Sequence, residues 1–135
     1  MRLWHQQLIP FLPRSQLLAQ WRELNSIYAK EDQHILINYI YTYDKAHLYT
    51  YSMLIRDEFL RRGYTIRSFD KFNQYFDHTN SHFVKELYKD HHTDDYFIIC
   101  FYNLYEKFKR GQKDFTPEQF EQMYQLYKEK STALL

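Results

Sequence analysis

DKAHLYTYSMLIRDEFLRRG, residues 44–63, opens on an aspartate suited to capping a helix and closes on a glycine suited to ending one. Between them Leu48, Tyr51, Ile55 and Phe59 recur at three- and four-residue spacing, which is one apolar stripe of an α-helix. Arg61 and Arg62 place cations in the last turn, where the helix dipole favours them. Working outward, Pro13-Arg14-Ser15 opens a second helix whose apolar face is Leu17, Leu18, Trp21, Leu24 and Tyr28. Ser68 caps a short piece with Phe69, Phe72 and Phe76 on one side. Thr93 starts a further helix, with Asp94 and Asp95 in its first turn, the stripe Phe97, Phe101, Leu104 and Phe108, and Gly111 as its stop. Thr116-Pro117-Glu118-Gln119 is the clearest start signal: threonine cap, proline at the first helical position, glutamine at the third. Phe120, Met123, Tyr124 and Tyr127 follow on one face.

One stretch departs from this pattern. HILINYIYTY, residues 34–43, alternates and is rich in β-branched and aromatic residues, yet no second strand is evident to pair with it. An extended connector packed on helices is the expectation. The fold class read from the chain is all-α: a single compact helical domain spanning 1–135, with that connector around 34–43.

Composition agrees. The 135 residues suffice for one modest core. Hydrophobic residues reach 44% while mean hydropathy is −0.72; the 14 tyrosines, apolar in one scale and nearly polar in the other, reconcile the two. Two glycines and three prolines exclude collagen-like and low-complexity chains, and argue against a turn-rich sandwich or barrel. Cys100 is the sole cysteine, so no internal disulfide forms and a cytoplasmic setting is expected. No run approaches the roughly 18 apolar residues of a bilayer span, and MRLWHQQLIP lacks the uncharged stretch of a secretory signal. No membrane partner is expected. The net charge of +1 conceals an asymmetry: residues 1–30 hold Arg2, Arg14, Arg22 and Lys30 against Glu23 alone, while the other 105 residues hold 14 basic and 16 acidic side chains. The basic beginning suits phosphates, but the chain as a whole has no basic field.

Familiar catalytic signatures are missing: no HExxH, no Walker loop, no GxGxxG and no CxxC. His78 and His82 lie four apart, and His91, His92, Asp94 and Asp95 follow, a grouping that invites a metal reading. The spacings match no established zinc pattern, so these are read as polar residues at a helix junction, with the aspartates serving the next helix's dipole. No metal and no cofactor are expected. Tyrosines 39, 41, 43, 49 and 51 offer stacking surfaces for unpaired bases, but fit core and rim aromatics better. Cys100, between Phe97, Phe101 and Leu104, reads as a small buried filler. Glu23 beside Arg22 is ordinarily a surface acid. Its interest depends on whether it reaches the chain's α-amine: α-amines titrate near about 7.7–8.0, so a useful fraction is neutral and nucleophilic at neutral pH. Such an amine can attack a sugar C1′ and form an imine, with a nearby carboxylate moving a proton. From the residues alone this is one chemistry among several.

The opening MRL, LLAQWREL at 17–24, His34 and YDKAHLYTYSMLIRDEFLRRGYTI at 43–66 together resemble the pyrimidine-dimer DNA glycosylase family, the phage endonuclease V-like enzymes, with a fainter echo in DDYFIICFYNL at 94–104. MRLWHQQLIPFLPRSQLL is most similar to a bacterial branch of it. The resemblance implies a compact helical fold without metal or organic cofactor. It also implies an N-terminal α-amine that attacks C1′ of a damaged nucleotide, followed by strand cleavage through β-elimination. On that basis the catalytic residues are Met1 and Glu23, the DNA-binding residues are Arg2, Arg22, Lys30 and His34, and the partner is double-stranded DNA with a damaged base or an abasic site. The sequence does not fix the oligomeric state, and a monomer is the expectation. Ser26 and Gln16 stand where the family carries a basic residue and a histidine. The other readings are a non-catalytic helical module that kept the fold, binding nucleic acid or protein, and metal-dependent hydrolysis through the 78–95 region.

Overall fold

In a computed structural model, which describes residues 1–134, five α-helices surround an N-terminal segment threaded through the core. They are α1 (Arg14–Lys30), α2 (Lys45–Arg61), α3 (Asp70–Tyr75), α4 (Asp94–Lys109) and α5 (Pro117–Leu134), with 3-10 turns at Gln6–Phe11 and Asn38–Thr42. No strand occurs among the described residues, in keeping with the all-α reading. Three of the start signals act as expected, while α3 begins one residue later than Ser68 announces, with Phe69 at the cap position and Ser68 Oγ accepting from Asp70 N–H (3.1 Å). Asp44 accepts a hydrogen bond from the Ala46 N–H (2.8 Å), Thr93 accepts one from Tyr96 N–H (3.2 Å), and Thr116 and Gln119 exchange the reciprocal bonds of a capping box. Gly63 sits at φ 76° just beyond α2, a conformation costly for any residue with a Cβ.

Residues 34–43 differ from the expectation. They are a connector, but wound rather than extended: Ile37 and Asn38 N–H both bond to His34 O at 2.9 Å, and a 3-10 turn follows. Without a neighbouring strand, local turn bonds are what satisfies the backbone. Residues 67–92, which carry little pattern, form α3 and a loop strapped to α2 by its own side chains and a residue just before it. Val84 N–H bonds to Thr50 Oγ1 (3.0 Å), Tyr88 N–H to His47 Nδ1 (3.0 Å) and Asp90 N–H to the Tyr43 hydroxyl (3.1 Å).

α1 packs on α2 and α3, and α4 on α5. The Gln6–Phe11 turn touches α2, α4 and α5 at once, so the chain's beginning is the wedge between these groups. Leu3, Leu8 and Leu12 are wholly buried, with Trp4 and Ile9 nearly so. Arg62 holds this wedge from outside: its guanidinium bonds to Pro10 O (3.2 Å) and, through Nε, to the buried carboxylate of Glu58 (2.6 Å). No helix among the described residues is long and apolar enough to cross a membrane.

Candidate active site

Residues 2–4 lie outside any helix, and side chains of three helices grip their carbonyls in turn. Gln20 of α1 donates to Arg2 O (3.0 Å), Tyr96 of α4 to Leu3 O (2.6 Å) and Tyr51 of α2 to Trp4 O (2.6 Å). Trp4 N–H donates to Gln20 Oε1 (2.9 Å). Three successive carbonyls and the Trp4 N–H are thereby committed, and Met1 is held at the surface, 38% exposed.

That place is the mouth of a cavity of about 240 Å³. Met1, Arg2 and Trp4 form one wall, Gln16, Ala19 and Glu23 of α1 a second, and Asn103 and Lys107 of α4 a third. Gln16, Ala19 and Glu23 share a face because three- and four-residue steps align on a helix. Glu23 is half-buried. Burial pushes its carboxyl above the ordinary value, opposed by the positive charges of the N-terminal amine and of Arg22. Its Oε2 accepts one hydrogen bond, from Gln20 Nε2 at 3.2 Å. A carboxyl raised toward neutrality is suited to passing protons, and here it shares a cavity with a primary amine.

Of the residues singled out from sequence, Met1, Arg2 and Glu23 therefore meet in one place. Arg22, next on the helix, faces outward along a larger groove of about 790 Å³ lined also by Trp21, Arg67 and Lys71. Lys30 and His34 line neither. Lys30 lies at the end of α1, 3.9 Å from Asp32, and exposed His34 takes a bond from Leu36 N–H in the turn beyond. Cys100 is buried, with its thiol pushed up by that burial. The residues of the metal reading are dispersed: His78 and His82 lie exposed on the 77–83 loop, His91 stacks on Tyr39 (4.6 Å between centroids), and His92 is buried with Nε2 2.6 Å from the Tyr39 hydroxyl. Among the described residues no three His, Cys, Asp or Glu side chains gather around one point.

Comparison with known proteins identifies the family. A family model for pyrimidine dimer DNA glycosylase matches residues 1–72, more than half of the chain and the part that supplies the terminus, Glu23 and Arg22. The chain belongs to the pyrimidine dimer DNA glycosylase family. No curated protein and no solved structure matches it significantly. Sequence reading passed over Gln20, which bonds to Glu23, Asn103 and Lys107 on the cavity's third wall, and Arg67 and Lys71 in the groove. Gln20 is a polar residue inside an otherwise apolar stripe, which is itself a signal. Lys107 stands one helical turn from Asn103 on the polar side of α4 and joins the glycosylase-like first half only through the tertiary fold.

Proposed function

We propose that the chain is a DNA repair enzyme that excises a damaged base from duplex DNA and cleaves the strand at the resulting abasic site, using the α-amine of Met1. The observation that carries the reading is the single cavity shared by the Met1 terminus and Glu23. The neutral amine attacks C1′; the bond to the base breaks and the base leaves with a proton. The sugar ring opens to a protonated imine. Loss of a C2′ proton then expels the 3′ phosphate by β-elimination, and water releases the amine. Glu23, beside the cation that develops, steadies it and moves the protons. C1′ of a stacked nucleotide is poorly accessible, so a nucleotide must leave the helix first.

Arg2 and Lys107 supply positive charge inside the cavity, and Arg22, Arg67 and Lys71 supply it along the adjoining groove, which suits the flanking phosphates. Lys30 lies seven residues past Glu23, about 10 Å along the helix axis, and together with His34 extends the contact toward the backbone on that side. All of these groups come from one chain, so a monomer suffices. The reaction needs no metal or organic cofactor in this scheme.

The test is borohydride trapping with a tag-free chain whose α-amine is verified free, on duplexes carrying an abasic site or a thymine dimer. An adduct mapped to Met1 is the expected result, and the dimer duplex shows whether base excision accompanies strand cleavage. No adduct and no nicking would leave a non-catalytic DNA-binding module as the better account.

A further inference from the structure

Gln20 occupies the buried stripe of α1 and is 1% exposed, where the helical period asks for an apolar residue. A side-chain amide offers two donor hydrogens and two acceptor lone pairs. Here Nε2 donates to Arg2 O (3.0 Å) and to Glu23 Oε2 (3.2 Å), while Oε1 accepts from Trp4 N–H (2.9 Å) and stands 2.9 Å from the Tyr51 hydroxyl. Turning the amide over would set its NH2 against the Trp4 N–H and its oxygen against a carbonyl and a carboxylate, so the network determines the orientation. The bond from Gln20 is the only one to the Glu23 side chain among the described residues. One nitrogen thus holds both the carbonyl of Arg2, the residue that follows Met1, and the Glu23 carboxylate.

We propose that, if amine and carboxylate act together as described above, Gln20 is the positioning residue that sets them in register, holding the Arg2 carbonyl and the Glu23 carboxylate on a single amide nitrogen. Chemical reactivity at a fixed sugar carbon is steep in distance and angle, so loosening this clamp slows attack without removing either reacting group. Tyr51 is the built-in comparison. Its hydroxyl braces Trp4 O, but Tyr51→Phe leaves both Gln20 donors engaged. The charges acting on Glu23 are those of the Met1 amine and of Arg22, its neighbour on α1, and Arg2 and Lys107 line the same cavity; all are positive, and none is altered by either change.

The first experiment follows the Glu23 carboxyl by carbon-detected NMR titration in the free protein. In Gln20→Met the midpoint rises by about one pH unit, the loss of one hydrogen bond to a charged group, and in Tyr51→Phe it stays put. In single-turnover trapping on an abasic duplex, Gln20→Met is slower by about tenfold or more at neutral pH and its acid limb moves with the carboxyl midpoint, whereas Tyr51→Phe keeps the parent's acid limb. An unmoved Glu23 midpoint in Gln20→Met, or equal slowing in both variants in step with lost stability, overturns the proposal. Should Gln20→Met fail to fold, the Gln20 side-chain amide of the parent decides: its NMR shift follows the Glu23 titration and ceases to do so in Glu23→Gln. A flat response overturns the clamp. Failure of the parent to trap at all would refute the imine chemistry, and the two titrations would still decide whether the clamp exists.

Discussion

Lowering the pH from 7 to 5 removes a large part of this protein's stability, because two buried histidines must stay neutral. His5 Nε2–H donates to His92 O (3.1 Å) and His5 Nδ1 accepts from Gln7 N–H (3.1 Å), so both ring nitrogens are committed in the neutral form. Burial, chiefly, lowers His5 to about 4 and His92 to about 3. The rings stack 5.7 Å apart, so each would repel the other's charge. Unfolded, both titrate near about 6.5. Between that value and the folded ones only the unfolded chain takes up protons, so stability is full above it and falls steadily as pH drops. Each histidine removes up to about 1.4 kcal/mol per pH unit there, or about 2 kcal/mol between pH 7 and 5. For the pair that is about 4 kcal/mol at most, against a typical total of about 5–15 kcal/mol. His47, also lowered by burial, adds in the same direction, whereas Glu23, raised, works against it. The depressed Asp77, Asp94 and Asp114 act only at lower pH, near and below the ordinary carboxylate range. Urea unfolding followed by the fluorescence of Trp4 and Trp21 at pH 7, 6 and 5 measures the slope. His92→Phe keeps a ring in place without a titrating group and reduces the slope by about half. Equal stability at pH 7 and 5, or an undiminished slope in His92→Phe, would refute the reasoning.

Glu23→Gln removes the proton-moving group and abolishes strand cleavage on an abasic duplex, while circular dichroism and DNA affinity stay near the parent; a fully active variant would remove Glu23 from the mechanism. Glu58→Ala leaves the nearly buried Arg62 without its carboxylate and lowers stability by about 3 kcal/mol in urea, whereas a loss below about 1 kcal/mol would show the pair to be solvent-relaxed. Arg22→Ala weakens binding to all duplexes alike and reduces the slope of log affinity against log salt by about one; an unchanged slope would place the phosphates elsewhere.

Helix ends were the most legible feature, because their signals are local. Asp44, Thr93 and Thr116 each cap the helix they announce, since a side-chain oxygen three or fewer residues from an orphan N–H needs no tertiary context. Residues 34–43 misled through their alternation, which specifies a strand only when a neighbouring strand completes the ladder. The loop from 76 to 93 carries no helix or strand period, because α2 side chains and the Tyr43 hydroxyl order it together with isolated turns, such as Ser81 N–H to Asp77 O (3.0 Å) and His92 N–H to Tyr88 O (2.8 Å). In the site, Glu23 was legible through its resemblance in context. Gln20 was not, because its meaning depends on Arg2, Trp4 and Tyr51, which are 16 to 31 positions away along the chain.

The wedge formed by the first dozen residues has a consequence for biogenesis. Its seat is built partly from α4 and α5, so residues 3–12 gain their final burial only after Asp94–Lys109 and Pro117–Leu134 have been synthesised. During that interval the segment around Met1 is open to enzymes that act on unfolded chains. Docking of α4 and α5 closes the interval, and whatever chemical state Met1 then has is the state carried into the fold.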